Sequence, residues 1–373
     1  MNASITPITM PKFGLAMTEG KLAGWMVRPG SRVKAGDDLA DIETSKITNA
    51  YESPAAGILR QVASDGETLP VGALIGVLAE DDVSDADIDA FIARFAAEFA
   101  TDEADGQEAA PAEPTVIDVK GRALRVLDLG HGDAPPILLI HGFGGDLTNW
   151  MFNHAALADG RRVVAFDLPG HGGSAKDVGD GSPAFFAGVA IDLLDHLGIG
   201  KAHLVAHSLG GAVALALAWQ APDRVASLAL IAPAGLGPEI NMDFINGFIT
   251  ADRQKTIQPV LGYLVHDKSL IGRKMADDIL RYKRLDGAVS ALMQIAATCF
   301  PDGRQADDLR PVLERGGIRA LILWGEDDEI LPVRQSGGLP PAVTIDILPG
   351  VGHMPQMERA ADINRTIGTF VAQ

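Results

Sequence analysis

Ala206-His207-Ser208-Leu209-Gly210-Gly211 follows the apolar run Ala202–Val205 and precedes Ala212–Ala218. The first run reads as a buried strand and the second as a helix packed on a sheet. A serine between strand and helix, with small residues two before and two after, is the nucleophile-elbow pattern. The turn is so tight that a large side chain at 206 or 210 would strike the backbone. Ala206 stands where glycine is usual, so the match is to a relaxed form of the pattern. Such a turn lifts the Ser208 hydroxyl above the sheet and leaves the Leu209 N–H beside it. Short Ser-Gly clusters also arise by chance, so the weight of this one depends on its surroundings.

Outward from the elbow, strand and helix patterns alternate from about residue 115. Val116–Val119 and Arg122–Asp128 read as an antiparallel opening pair. Residues 136–140, 162–166, 227–231, 320–324 and 343–348 are further strands. Apolar runs separated by helical patterns predict a mostly parallel sheet covered on both faces. Ligands bind such sheets at the carboxyl ends of strands. His141-Gly142-Phe143-Gly144-Gly145 and Asp167-Leu168-Pro169-Gly170-His171-Gly172-Gly173-Ser174 both lie at such ends. The largely helical excursion between Ala232 and Arg319 predicts a lid over about 236–312, which would exclude water and set substrate choice. Its Arg273, Lys274, Arg281, Lys283 and Arg284 are either a contact for a phosphorylated cofactor or acidic carrier, or a solvated helix face.

Two more motifs complete a catalytic order. Trp324-Gly325-Glu326-Asp327-Asp328-Glu329-Ile330-Leu331-Pro332 follows a late strand, and Gly352-His353-Met354-Pro355 follows the last one. With these in place, residues 115–373 resemble the α/β-hydrolase superfamily over their full extent. The resemblance implies Ser208 as nucleophile, Asp328 as orienting acid and His353 as general base. Asp328 is preferred to Asp327 because the family's acid lies three residues after the glycine and four before the proline. A serine hydroxyl is a poor nucleophile until an imidazole takes its proton, and a carboxylate fixes that imidazole's tautomer. The N–H groups of Phe143 and Leu209 are the expected oxyanion donors. His141 and His171, in glycine-rich turns, are expected to hydrogen-bond backbone. The other histidines form no spaced ligand set, and Cys299 is the only cysteine, so no metal is expected.

Residues 3–80 read all-β, with short strands and turns rich in glycine and proline. They repeat internally. Gly20, Leu22, Gly30, Val33, Gly36, Leu39 and Ile42 align with Gly57, Leu59, Gly66, Leu69, Gly72, Ile75 and Leu78. Two like units predict a quasi-symmetric flattened barrel or sandwich. Glu43-Thr44-Ser45-Lys46-Ile47 falls between them, placing Lys46 near an exposed hairpin tip. Met10–Gly20 and Asp41-Ile42-Glu43-Thr44-Ser45-Lys46 make this region, residues 1–80, resemble a lipoyl domain. The resemblance implies lipoate covalently attached to Lys46. Biotin carriers have methionine on both sides of their lysine, whereas here the neighbours are Ser45 and Ile47.

Residues 81–114 are acidic, with Arg94 their only basic residue. Ile88, Phe91, Ile92, Phe95 and Phe99 recur at helical spacing, with Ser84 as N-cap. This predicts an amphipathic helix, docked either on a neighbouring domain or on another subunit. Thr101–Pro114 is expected to be an extended, self-repelling tether.

The net charge of −18 argues against a nucleic-acid partner. No apolar run reaches the ~18–20 residues that span a bilayer, and Met1–Phe13 lacks the pattern of a signal peptide. A cytoplasmic setting is expected. Together the two domains resemble the acetyltransferase component of acetoin dehydrogenase complexes. That resemblance implies acetyl transfer from lipoyl-Lys46 to coenzyme A, with a thiamine-diphosphate-dependent component and dihydrolipoamide dehydrogenase as partners, in a homo-oligomer. The chain lacks the His…Asp-Gly motif of the usual 2-oxo-acid dehydrogenase acyltransferases. Two alternatives therefore stand: a serine hydrolase or thioesterase acting on acyl esters or thioesters, and a carrier and assembly protein without acyl chemistry.

Overall fold

The repeat in residues 20–78 closes into two four-stranded antiparallel sheets of related topology. The strands are β1 (Ile5–Thr9), β2 (Glu19–Trp25), β3 (Arg32–Val33), β4 (Asp38–Glu43), β5 (Thr48–Glu52), β6 (Gly57–Gln61), β7 (Thr68–Pro70) and β8 (Leu74–Ala79). They are ordered β1-β8-β6-β3 and β5-β4-β2-β7. The symmetry shows in the register. Leu22 of β2 faces Ile42 of β4, and their equivalents Leu59 and Leu78 face each other across β6 and β8. Gly30 and Gly66 turn at φ of 81° and 85°, and Gly36 and Gly72 at 86° and 89°. These are left-handed positions where a Cβ would be strained. Leu22, Leu39, Ile42, Leu59 and Ile75 fill the space between the sheets.

This computed structural model describes residues 5–11, 19–43, 48–80, 83–105 and 113–372. Lys46, most of the Met10–Gly20 motif and the Phe99 side chain lie outside the described residues. The chain divides into two units, Met1–Ala112 and Glu113–Gln373. The predicted amphipathic helix spans Asp85–Asp105. The Ser84 hydroxyl accepts the Asp87 N–H at 3.2 Å. Ile88 is buried against Val77 and Ala79 of β8, with Phe91 and Ile92 beside it, and Arg60 pairs with Asp85. The helix thus covers the outer face of the β-domain and belongs with it. Because it runs to Asp105, it takes in the first residues of the expected tether.

The second unit carries an eight-stranded sheet ordered β16-β15-β14-β13-β11-β12-β10-β9. The strands are β9 (Thr115–Val119), β10 (Arg122–Leu129), β11 (Ile137–Ile140), β12 (Val163–Phe166), β13 (Ala202–His207), β14 (Val225–Ile231), β15 (Arg319–Gly325) and β16 (Val343–Leu348). β9 and β10 are antiparallel additions, while β11 to β16 run parallel. Both faces are buried, which is why these strands read as continuous apolar runs. Leu138, Leu204, Leu230 and Ile322 pack with helices Pro183–His196 and Leu209–Gln220 on one face. Leu139, Val205, Ile231 and Leu323 meet Ile363, Ile367 and Val371 of helix Ala360–Val371 on the other.

Between β14 and β15 the lid contributes helices Met242–Thr250, Gln254–Leu261, Arg273–Lys283 and Ala288–Cys299. Three of the basic residues noted there have partners of different kinds. Lys274 and Arg281 both pair with Asp278, at 2.7 and 3.3 Å. The Lys283 ammonium turns inward and donates to the carbonyls of Phe248 and Ala251.

Candidate functional site

Ser208 joins β13 to the helix beginning at Leu209, with φ 55° and ψ −120°. A non-glycine residue at positive φ stores strain that its surroundings must hold. The Ser208 N–H donates to Ile231 O at 3.0 Å, and its carbonyl accepts from Gly211 and Ala234 at 2.8 and 2.9 Å. A Cβ on Gly210 would lie 2.4 Å from Ile140 O, so only glycine fits there. A Cβ on Gly142 would lie 2.9 Å from Ser208 Cβ. The β11 loop therefore runs directly beside the elbow and brings the Phe143 backbone to it. Leu209 opens its helix, where the first N–H groups have no acceptor within the helix. The Phe143 ring packs edge-on to Phe248 and Phe300, with centroids 6.0 and 6.2 Å away. It thereby fixes the loop that carries its N–H.

The acid and the imidazole meet across neighbouring strand ends. His353 Nδ1 lies 2.8 Å from Asp328 Oδ2, and both side chains are buried. Asp328 Oδ1 accepts the N–H groups of Ile330 and Leu331 at 2.8 and 2.9 Å, and Trp324 Nε1 donates to Oδ2 at 3.0 Å. In all four of these contacts the carboxylate is the acceptor. The proton between Asp328 and His353 is therefore on Nδ1, which leaves Nε2 free as a base. Asp327 points the other way and meets His266 Nδ1 at 3.0 Å near the surface. Among the described residues no hydrogen bond joins Ser208 to His353. The imidazole is tied to the elbow through His207, whose Nε2 donates to His353 O at 2.8 Å and whose ring centroid is 4.7 Å away. Catalytic hydrogen bonds often shorten only when substrate is bound.

His141 is fully buried. Its Nε2 accepts the Leu168 N–H at 2.9 Å, so Nδ1 carries the proton and donates to Gly142 O at 2.8 Å. It joins the β11 and β12 loops and has no remaining group for chemistry. His171 donates Nδ1 to Pro169 O at 3.1 Å and stacks on Tyr282 of the lid. Among the described residues no group of three or more His, Cys, Asp or Glu could hold a metal, and no helix is long and apolar enough to cross a membrane.

Burial holds several histidines neutral. It pushes His171 down to about 3 and His154 and His203 to about 4, and it lowers His141 and His207 as well. Unfolding returns each to about 6.5. The unfolded chain then binds more protons below that pH, so stability is complete above about pH 6.5 and is lost as pH falls through the window below it. Each such group contributes a slope of up to about 1.4 kcal/mol per pH unit. Urea midpoints are expected to stay level from pH 7.5 to about 6.5 and to fall from there to pH 5. A flat profile would show that these imidazoles are already charged in the folded chain.

One contact beside the candidate site had no motif to announce it. The Glu358 carboxylate accepts the N–H groups of Gly352 and of His266 in the lid, each at 2.8 Å. A glutamate five residues after His353 is unremarkable in sequence, and the only signal available was an acid close to the base.

The α/β-hydrolase fold family matches residues 135–360, and the family described as biotin-requiring enzymes matches residues 6–78. The chain is 46% identical over 370 residues to the dihydrolipoyllysine-residue acetyltransferase component of the acetoin cleaving system of Pseudomonas putida, covering 99% of each protein. It is 44% identical to the component of the same name in Cupriavidus necator, covering 98% of this chain and 96% of that one. Among solved structures, a meta-cleavage product hydrolase from Pseudomonas fluorescens superposes with a TM-score of 0.63 at 25% identity. That match covers 69% of this chain and 97% of the hydrolase. The full-length likeness spans both domains in their order, and the chain belongs to the family of dihydrolipoyllysine-residue acetyltransferase components of acetoin cleaving systems, a lipoyl domain joined to an α/β-hydrolase fold.

Proposed function

We propose that this chain transfers an acetyl group from lipoate on Lys46 to coenzyme A through a serine acyl-enzyme. The observation that carries the reading is the buried 2.8 Å pair of His353 and Asp328 at the strand ends beside the strained Ser208. On the carrier side, β4 and β5 pair as far as Glu43 and Thr48, the residues that flank the Lys46 motif in sequence. A carrier lysine needs a rigid base, which paired strands on either side of it supply. The lipoyl group supplies an acyl thioester and a thiol leaving group.

Ser208 Oγ attacks the thioester carbonyl carbon as His353 Nε2 takes its proton. The Phe143 and Leu209 N–H groups steady the oxyanion. As the C–S bond breaks, His353 returns the proton to the departing sulfur, leaving acetyl-Ser208. His353 then takes the proton of the coenzyme A thiol, which attacks the ester carbonyl, and gives it back to Ser208 Oγ. Asp328 holds the imidazolium through both half-reactions. The Lys46 arm would be acetylated reductively by a thiamine-diphosphate-dependent component and reoxidised by dihydrolipoamide dehydrogenase, with a cytoplasmic homo-oligomer as the working form.

A second reading, hydrolysis or thioesterase action, draws on the likeness to the meta-cleavage product hydrolase. Acceptor competition separates the two. With acetyl-dihydrolipoyl protein as donor, acetyl-coenzyme A should form in proportion to thiol, with free acetate as a minor product. Acetate release that ignores added coenzyme A would favour the hydrolase.

A further inference from the structure

One short lid segment, Val265–Lys268, rests on the loops that carry Asp328 and His353. A Cβ on Gly352 would lie 2.6 Å from His266 N and 2.7 Å from the Val265 carbonyl carbon. Lid backbone therefore rests directly on the residue before His353. The acid loop is the third layer of the same stack, because a Cβ on Gly325 would fall 2.0 Å from Gly352 O. Only glycines allow three backbones to pack this closely.

Glu358, at the end of the short helix Pro355–Glu358, spans the contact. Its Oε1 accepts the Gly352 N–H and its Oε2 the His266 N–H, both at 2.8 Å. A carboxylate can accept on both oxygens at once, whereas an amide would present a donor to one of these N–H groups. Two more pairs secure the segment on either side of Asp328: His266 Nδ1 with Asp327 at 3.0 Å, and Lys268 Nζ with Glu329 at 2.5 Å. The Lys268 ammonium also donates to Val265 O and Gly262 O, at 2.8 and 2.6 Å, and so stiffens the lid loop itself.

We infer that Glu358 is a positioning residue that sets His353 in register with Asp328 and makes that register depend on a seated lid. The inference rests on His353 serving as the base. Glu358 touches no reacting atom and acts through Gly352. Releasing that N–H lets the loop before His353 shift, and misplacement of a catalytic group by about 1 Å costs on the order of 10²-fold in rate.

The test uses full-length Glu358→Gln and Glu358→Ala proteins with a small acyl ester whose binding needs little of the lid. Active sites are counted with a serine-directed phosphonate. Per titrated site, kcat is expected to fall roughly 10- to 100-fold, with KM little changed. Glu358→Asp should recover part of the loss, and trypsin should cut faster after Lys268. A merely structural role would reduce the number of titrated sites and leave kcat per site unchanged, and that result would overturn the inference. Should Glu358→Ala fail to fold, the nearly isosteric Glu358→Gln protein decides by itself. His353→Ala is the separate control. Wild-type turnover in that variant would remove the base assignment, whatever the Glu358 variants do.

Discussion

Ser208→Ala is expected to lower turnover of a small acyl ester by roughly 10³–10⁶-fold without unfolding the protein. That range corresponds to about 4–8 kcal/mol of transition-state stabilisation. Alanine meets the same φ of 55° as serine and loses only the hydroxyl, so the elbow and its packing should persist. Residual rate would come from substrate binding and the oxyanion donors. A phosphonate probe should label the wild type alone, and equal labelling of both proteins would place the nucleophile elsewhere. The proposed orienting acid has a sharper signature. Asp328 receives donors on both oxygens: the Ile330 and Leu331 N–H groups on one, Trp324 Nε1 and His353 Nδ1 on the other. An asparagine there must set its NH₂ against a donor, which favours the wrong imidazole tautomer and should cost on the order of 10³–10⁴-fold. Asp327→Asn removes only the exposed contact to His266, so its effect should be small. The reverse order would reassign the acid.

Lys46→Arg should abolish acetyl transfer from the carrier while leaving ester turnover at Ser208 untouched. Arginine keeps the charge but cannot form the amide that holds lipoate. Intact mass of protein made with lipoate should show one adduct in the wild type and none in the variant, and an adduct kept in Lys46→Arg would end the assignment. The size of the loss follows from tethering. A flexible link holds a carrier at an effective concentration of roughly the millimolar range. Free lipoyl domain supplied at low micromolar concentration should therefore rescue the variant only weakly. Helix Asp85–Asp105 docks on the β-domain through Ile88, Phe91 and Ile92, so it moves with the carrier. Full rescue at low micromolar carrier would mean that covalent attachment confers no advantage in rate.

Much of this protein is written locally. The β-domain repeat was legible because each unit carries its own turn glycines and apolar alternation within a few residues. The parallel sheet was legible because strands covered on both faces read as unbroken apolar runs. Ser208 and His353 stand in turns whose steric demands leave a signature of small residues. What closure of the chain decided is of another kind. Asp327 and Asp328 are neighbours in one turn, and only the fold sends one carboxylate to His353 and the other to His266. Periodicity announced an apolar face on the helix after Ser84, but β8 of the same unit, a partner chosen by tertiary packing, covers it. Of the five lid cations noted in sequence, only tertiary packing draws Lys283 inward to two backbone carbonyls. Glu358 reaches a backbone N–H 92 residues away. Turn sterics and burial patterns act over a few residues and leave a local trace. A hydrogen bond between loops that meet only after the sheet has formed requires a carboxylate in the right place and leaves no such trace in the sequence.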